Sequence, residues 1–92
     1  MDINSVPMVR VTWRDARDME TGWLDIKHIM AAPLAVCQEI GWMVVNNDEK
    51  VVIMRSWCLD RDDNHGGGAI ALPKGWITKI EYLQVGHADV RN

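Results

Sequence analysis

The chain has no phenylalanine, one tyrosine, two cysteines and three prolines in 92 residues. Two cysteines are too few for the disulfide framework that staples small secreted domains. Cys37 and Cys58 each lie in an apolar run and read as small buried hydrophobes. No stretch reaches the roughly 18 consecutive apolar residues of a membrane-spanning helix. Met1-Asp2-Ile3-Asn4-Ser5 lacks the basic and apolar regions of a secretory leader, so the expected compartment is a cytoplasm. Positive charge is also scarce: ten Lys and Arg stand against thirteen Asp and Glu, for a net charge of -3. Binding to nucleic-acid phosphates draws on a basic footprint, so this balance counts against a general DNA or RNA binder.

The length fits one domain over residues 1–92, with a core at about 7–85 and a frayed tail at 86–92. With 48% apolar and 25% charged residues the chain has a globular composition. A chain this short buries only about 60–65% of its unfolded surface, so its core is thin. Against the missing phenylalanine stand five tryptophans. Each indole N–H wants a partner when buried. Five indoles are too many for so thin a core, and those left outside are expected to mark an interface.

Alternation organises most of the chain. Val9, Val11 and Trp13 share one parity, and Arg10, Thr12 and Arg14 share the other, which is the period of a half-buried strand. Residues 24–32 change period. Ile26, Ile29 and Met30 share a helical face, Asp25 stands where an N-cap side chain would, and Pro33 ends the run. A two-turn helix is unstable alone and is expected to dock on the rest. Residues 34–45 and 50–58 read as the strands of a hairpin around Asn46-Asn47-Asp48-Glu49, where Asn and Asp tolerate positive φ, with Gly41 marking a bend. Residues 60–68 are polar and glycine-rich and read as a mobile loop. Two strands follow, at 69–72 and 77–85, around the turn Pro73-Lys74-Gly75.

An ordered set of motifs runs through this pattern. It comprises Val11-Thr12-Trp13-Arg14-Asp15-Ala16, Gly22-Trp23, Ile40-Gly41-Trp42, Ile70-Ala71-Leu72-Pro73-Lys74-Gly75, Ile77 and Ile80. The set resembles small uncharacterised proteins carried by bacteriophages and prophages, over roughly residues 9–83. The strand plan also resembles SH3-like and Sm-like small barrels. The resemblance implies a mainly β, five-stranded SH3-like small barrel with one short helix after the first strand. It further implies a phage accessory protein working in a bacterial host cytoplasm. It carries no catalytic residue across.

Motifs of known chemistry are imitated but incomplete. Asp60, Asp62 and Asn64 have the spacing of a calcium loop, but His65 and Ala71 stand where Gly and a bidentate Glu are needed. His65-Gly66-Gly67-Gly68 imitates an esterase oxyanion loop. Neither Ser5 nor Ser56 lies in the strand-to-helix elbow that such a loop serves. His28, His65 and His87 show no zinc-ligand spacing with the cysteines. No metal, cofactor or catalytic residue is expected.

The candidate binding residues are Arg10, Arg14, Arg17, Arg55, Trp57, His65, Gly66, Gly67 and Trp76. Arg10 and Arg14 share the outer face of the first strand, about 13 Å apart, a spacing that could bracket an anion. The plainer account is a solvated face that discourages edge pairing. Gly66 and Gly67 could let backbone N–H groups approach a phosphate. Arg55 is in conflict with its neighbours. It shares parity with Ile53 and Trp57, so it needs a paired acid, an interface or a break in the strand. The expected function is a non-enzymatic binding module that self-associates or docks on a host protein. The alternative is sequestering of a small anionic nucleotide between subunits of an oligomer, with a Trp stacked on the base. A weaker alternative is Sm-like nucleic-acid binding, which the acidic balance opposes.

Overall fold

A computed structural model describes residues 3–60 and 63–90, with the backbone alone at Asp63. These residues are mainly β. Seven strands run in chain order: β1 (Met8–Asp15), β2 (Ala35–Asn46), β3 (Lys50–Met54), β4 (Ser56–Asp60), β5 (Asp63–Gly67), β6 (Ile70–Pro73) and β7 (Ile77–Tyr82). One α-helix, α1 (Ile26–Met30), lies between β1 and β2, and 3-10 turns cover Ile3–Ser5 and Lys74–Trp76. Five strands form an antiparallel sheet in the order β6-β3-β2-β1-β7, and β4 and β5 form a separate two-stranded ribbon.

The alternation of β1 decides the core. Val9, Val11 and Trp13 are buried on one face, and they cluster with Met43, Val51, Ile53 and Leu72. Cys37, Ile70, Ile77 and Ile80 pack around them. Val11 on β1 and Val51 on β3 are separated in the sheet by β2, so the sheet curls over its apolar face to bring them into one cluster. Two irregularities help it bend, one between Thr12 and Trp13 against β7 and one between Met43 and Val45 against β3. Gly41 is required at the curl. A Cβ there would stand 2.5 Å from the Met54 carbonyl oxygen, which is backbone and cannot step aside.

The curl does not close. Among the described residues no ladder joins β6 to β7, so the sheet keeps two edges instead of the barrel expected. The reason lies at the end of β6. That strand has four residues and finishes at Pro73, which has no N–H to give. The next amide, Lys74, donates to the Glu49 carbonyl at 2.9 Å, and the 3-10 turn then carries the chain away.

Three further expectations are corrected. The strand expected over 50–58 breaks at Arg55, where β3 gives way to β4. Within the loop expected over 60–68, Asp63–Gly67 form β5, in register with β4 from Ser56↔Gly67 to Asp60↔Asp63. Gly66 serves packing: the Met54 side chain fills the space beside it that a Cβ would occupy. The calcium-loop position Asp62 lies outside the described residues. The β2–β3 turn does not use positive φ, which among the described residues occurs at Gly22 and Gly68 alone. Asn47 instead accepts from the Glu49 and Lys50 amides at 3.0 and 2.9 Å through its side-chain oxygen.

The helix departs most from expectation. It spans five residues and none is buried. Asp25 stands at its N-cap with no side-chain bond, and its backbone carbonyl accepts from Ile29 at 3.1 Å. Residues 16–34 therefore form an arm between β1 and β2 that is exposed along its length, except at Met19 and Leu24, which are half-buried. The radius of gyration is 18.0 Å, where a compact chain of this length has about 12 Å. Residues 86–90 carry no secondary structure and are exposed.

Candidate interaction surface

The sequence-derived candidates fall into three separate places. On the outer face of the sheet, Arg10 makes a bidentate pair with Glu81, with Nε and an Nη each donating at 2.8 Å to a different carboxylate oxygen. Lys79 lies 3.6 Å from the same carboxylate. The β1–β7 register causes this arrangement, because Arg10 stands directly opposite Glu81 and Thr12 opposite Lys79. Beside it, the Gln38 side-chain amide donates to the Thr12 hydroxyl at 3.1 Å. Sequence reading singled out Arg10 and missed Glu81, whose partner is set by a pairing 71 residues apart.

The Arg10 hydrogen bonds hold the Glu81 carboxyl below the ordinary carboxylate range, Lys79 adds to this, and desolvation opposes it. A carboxylate depressed in the folded state contributes stability that is present above its unfolded pKa and is lost as pH falls through the folded one. The wild-type melting temperature is therefore expected to fall on acidification below about pH 5, and Glu81→Gln is expected to flatten that acid limb. Thermal melts of both proteins between about pH 3 and pH 7 test this. Equal slopes would remove the Glu81 contribution.

The second place is the root of the ribbon. Arg55 is exposed, so the parity conflict is settled by the strand break, with Glu39 nearby at 3.4 Å as a weak surface partner. Its amide donates to the Gly67 carbonyl at 3.1 Å. Its side chain lies against Gly68, which has φ +63° and would set a Cβ 2.8 Å from the guanidinium Nε. Trp57 is half-buried. Its indole N–H donates to Asn64 Oδ1 at 2.7 Å, and its ring meets Trp42 edge-to-face at 5.8 Å. Gly66 and Gly67 stand in the β4–β5 ladder opposite Trp57 and Ser56, and His65 stands opposite Cys58. Arg10 is held by Glu81 and these glycines are in a ladder, so the phosphate-binding set does not converge.

The third place is an open cleft of about 510 Å³ at one end of the sheet, where Arg14 and Trp76 meet. Asp15, Ala16, Leu34, Gly75 and Thr78 complete its lining. Arg14 makes no ion pair with any described residue. Asp15, by contrast, is occupied. It accepts from the Ala16 amide at 2.7 Å and from the buried Trp13 indole at 3.2 Å. Arg17 is exposed on the first residues of the arm.

The arm itself was not among the candidates. Trp23 is 102% exposed, and Ile26, Ile29, Met30 and Leu34 are exposed with it. The helical face had been legible, but docking was assumed. The available signal was length: a 19-residue connection with five helical residues is longer than compact domains ordinarily carry without a function.

Among the described residues no three His, Cys, Asp or Glu side chains gather into a cluster able to hold a metal. No described helix is long and apolar enough to cross a membrane. Comparison of the chain with protein-family models, curated proteins and solved structures gives no match.

Proposed function

We propose that this protein is a non-enzymatic interaction module that completes its fold by self-association. One observation carries the reading. The chain exposes 7582 Å², whereas a folded monomer of 10.5 kDa is expected to expose roughly 5,400 Å². The excess of about 2,100 Å² includes large apolar side chains, among them Trp23, Ile26, Met30, Leu34 and Trp76. The apolar part of this surface, left to water, is a cost that association removes.

The finer fold belongs to the same reading. The last strand beside the first, a 3-10 turn between the last two strands and a bent central hairpin are features that support an SH3-like reading, in which β4 and β5 are an inserted ribbon. The motifs that resemble those of small phage proteins lie at structural positions of this sheet. Trp13 and Leu72 are buried, Gly41 admits the Met54 carbonyl, and Ile77 and Ile80 flank the core. They support a common scaffold in an accessory protein of the bacterial cytoplasm, and they name no shared active site.

Light scattering on a sizing column tests the reading. From about 1 to 500 μM the mass is expected to reach at least twice the 10.5 kDa of one chain. A constant 10.5 kDa across that range would overturn self-association and leave docking on a host protein.

A further inference from the structure

A helix of five residues is far below the length that is stable in water, and α1 has no buried residue to compensate. Its apolar side chains Ile26, Ile29 and Met30 continue from Trp23 on one side to Leu34 on the other. Leu34, at the end of the arm, also lines the Arg14–Trp76 cleft, as does Ala16 at its start. Arm and cleft are thus one continuous surface. Within a single chain, only the two ends of the arm reach the cleft.

From this continuity we propose that two copies of the chain exchange arms, each laying Trp23 and α1 into the Arg14–Trp76 cleft of the other. The proposal rests on the self-association reading and names its surface. A two-fold axis makes the same contact twice, so both arms and both clefts are consumed and the assembly closes at two. The area is sufficient. A stable interface takes about 800 Å² from each partner, well within the excess of about 2,100 Å². Charge adds a smaller contribution. The cleft offers Arg14 with no ion pair to any described residue, and the arm sets exposed Asp18, Glu20 and Asp25 against exposed Arg17 and Lys27, which leaves it net acidic by one charge. Trp23 entering the cleft beside Trp76 places two indoles at the centre of the contact, the side chain most enriched in binding hot spots.

Complementation between two variants tests the exchange. Trp23→Ser/Ile29→Asp disables the arm and keeps the cleft, and Trp76→Asp disables the cleft and keeps the arm. All three positions are exposed, and circular dichroism checks that each variant keeps its sheet. Each variant alone is expected to dimerise only at a concentration raised by about 30-fold or more over wild type. An equimolar mixture restores one arm–cleft contact and is expected to dimerise at lower concentration than either variant alone. A wild-type chain that stays monomeric overturns both this proposal and the reading beneath it. Wild-type dimers with an arm variant that dimerises equally well overturn the exchange alone. So does a mixture no better than its components. A readout independent of the variants' folding is Trp23 fluorescence, taken as the difference between wild type and Trp23→Phe. Its emission is expected to shift blue as mass doubles, and an unchanged emission across the dimer transition overturns the exchange.

Discussion

Gly41→Ala is expected to destabilise the fold by about 3 kcal/mol, the upper part of the range for forcing a methyl into a packed site. The added Cβ would stand 2.5 Å from the Met54 carbonyl oxygen and 3.0 Å from its carbon. Both are backbone atoms of β3. Relief therefore means moving the β2–β3 ladder where Trp42 pairs with Met54, at the point where the sheet curls. In a domain of this size such a loss lowers the melting temperature by roughly 12–24 °C. Gly75→Ala is the control. Nothing lies within 4 Å of its Cβ position and its φ is not positive, so a change of no more than about 0.5 kcal/mol is expected. Thermal melts of the two variants at equal concentration decide the matter. Similar small shifts would mean that β3 does not pass over Gly41.

Ile53→Ala should lose a comparable amount, in the range of about 2–5 kcal/mol. Ile53 is fully buried, opposite Met43 on one side and Ile70 on the other. The truncation removes apolar contact and leaves a void that the surrounding core cannot readily fill. Small domains hold about 5–15 kcal/mol in total, so this substitution takes a large share and leaves a measurable unfolded population. Ile40→Ala removes the same atoms from a side chain that is exposed on the outer face. Its effect should stay within about 0.5 kcal/mol. Urea unfolding reads the difference as a lowered midpoint with an unchanged slope for Ile53→Ala and little movement for Ile40→Ala. Equal losses at the two positions would mean that the sheet buries the wrong face. Self-association adds a requirement to the measurement, because a dimer's unfolding midpoint rises with chain concentration. Each comparison therefore holds concentration fixed.

Local rules reached a good part of the fold. The face of β1 is legible because side chains alternate on any strand, whatever it pairs with. The β2–β3 hairpin is legible because its turn residues are adjacent in the chain. The glycine at 41 pointed to a bend for a local reason as well, although what it admits, the Met54 carbonyl, comes from another strand. Gly66 and Gly67 misled for the same reason. Glycines in a polar stretch suggest a loop, but here a methionine from β3 needs the space beside Gly66.

The candidate surface was less legible, since each part depends on which strands become neighbours. From sequence Arg10 reads as an outer-face cation, either solvated or open to an anion, and only the β1–β7 register places Glu81 opposite it. Arg14 and Trp76 are 62 positions apart in the chain and meet only because β7 returns beside β1. By itself, then, the amino-acid order determined the periodicities: which residues alternate, where a helical face lies and which turns are tight, because these depend on neighbours within a few bonds. Tertiary structure alone decided the partners: that Pro73 leaves the sheet open, that Glu81 holds Arg10, and that the helical arm finds no cover within its own chain. Those outcomes depend on long-range register and on how much apolar area one small chain can bury, and neither is a property of any local stretch.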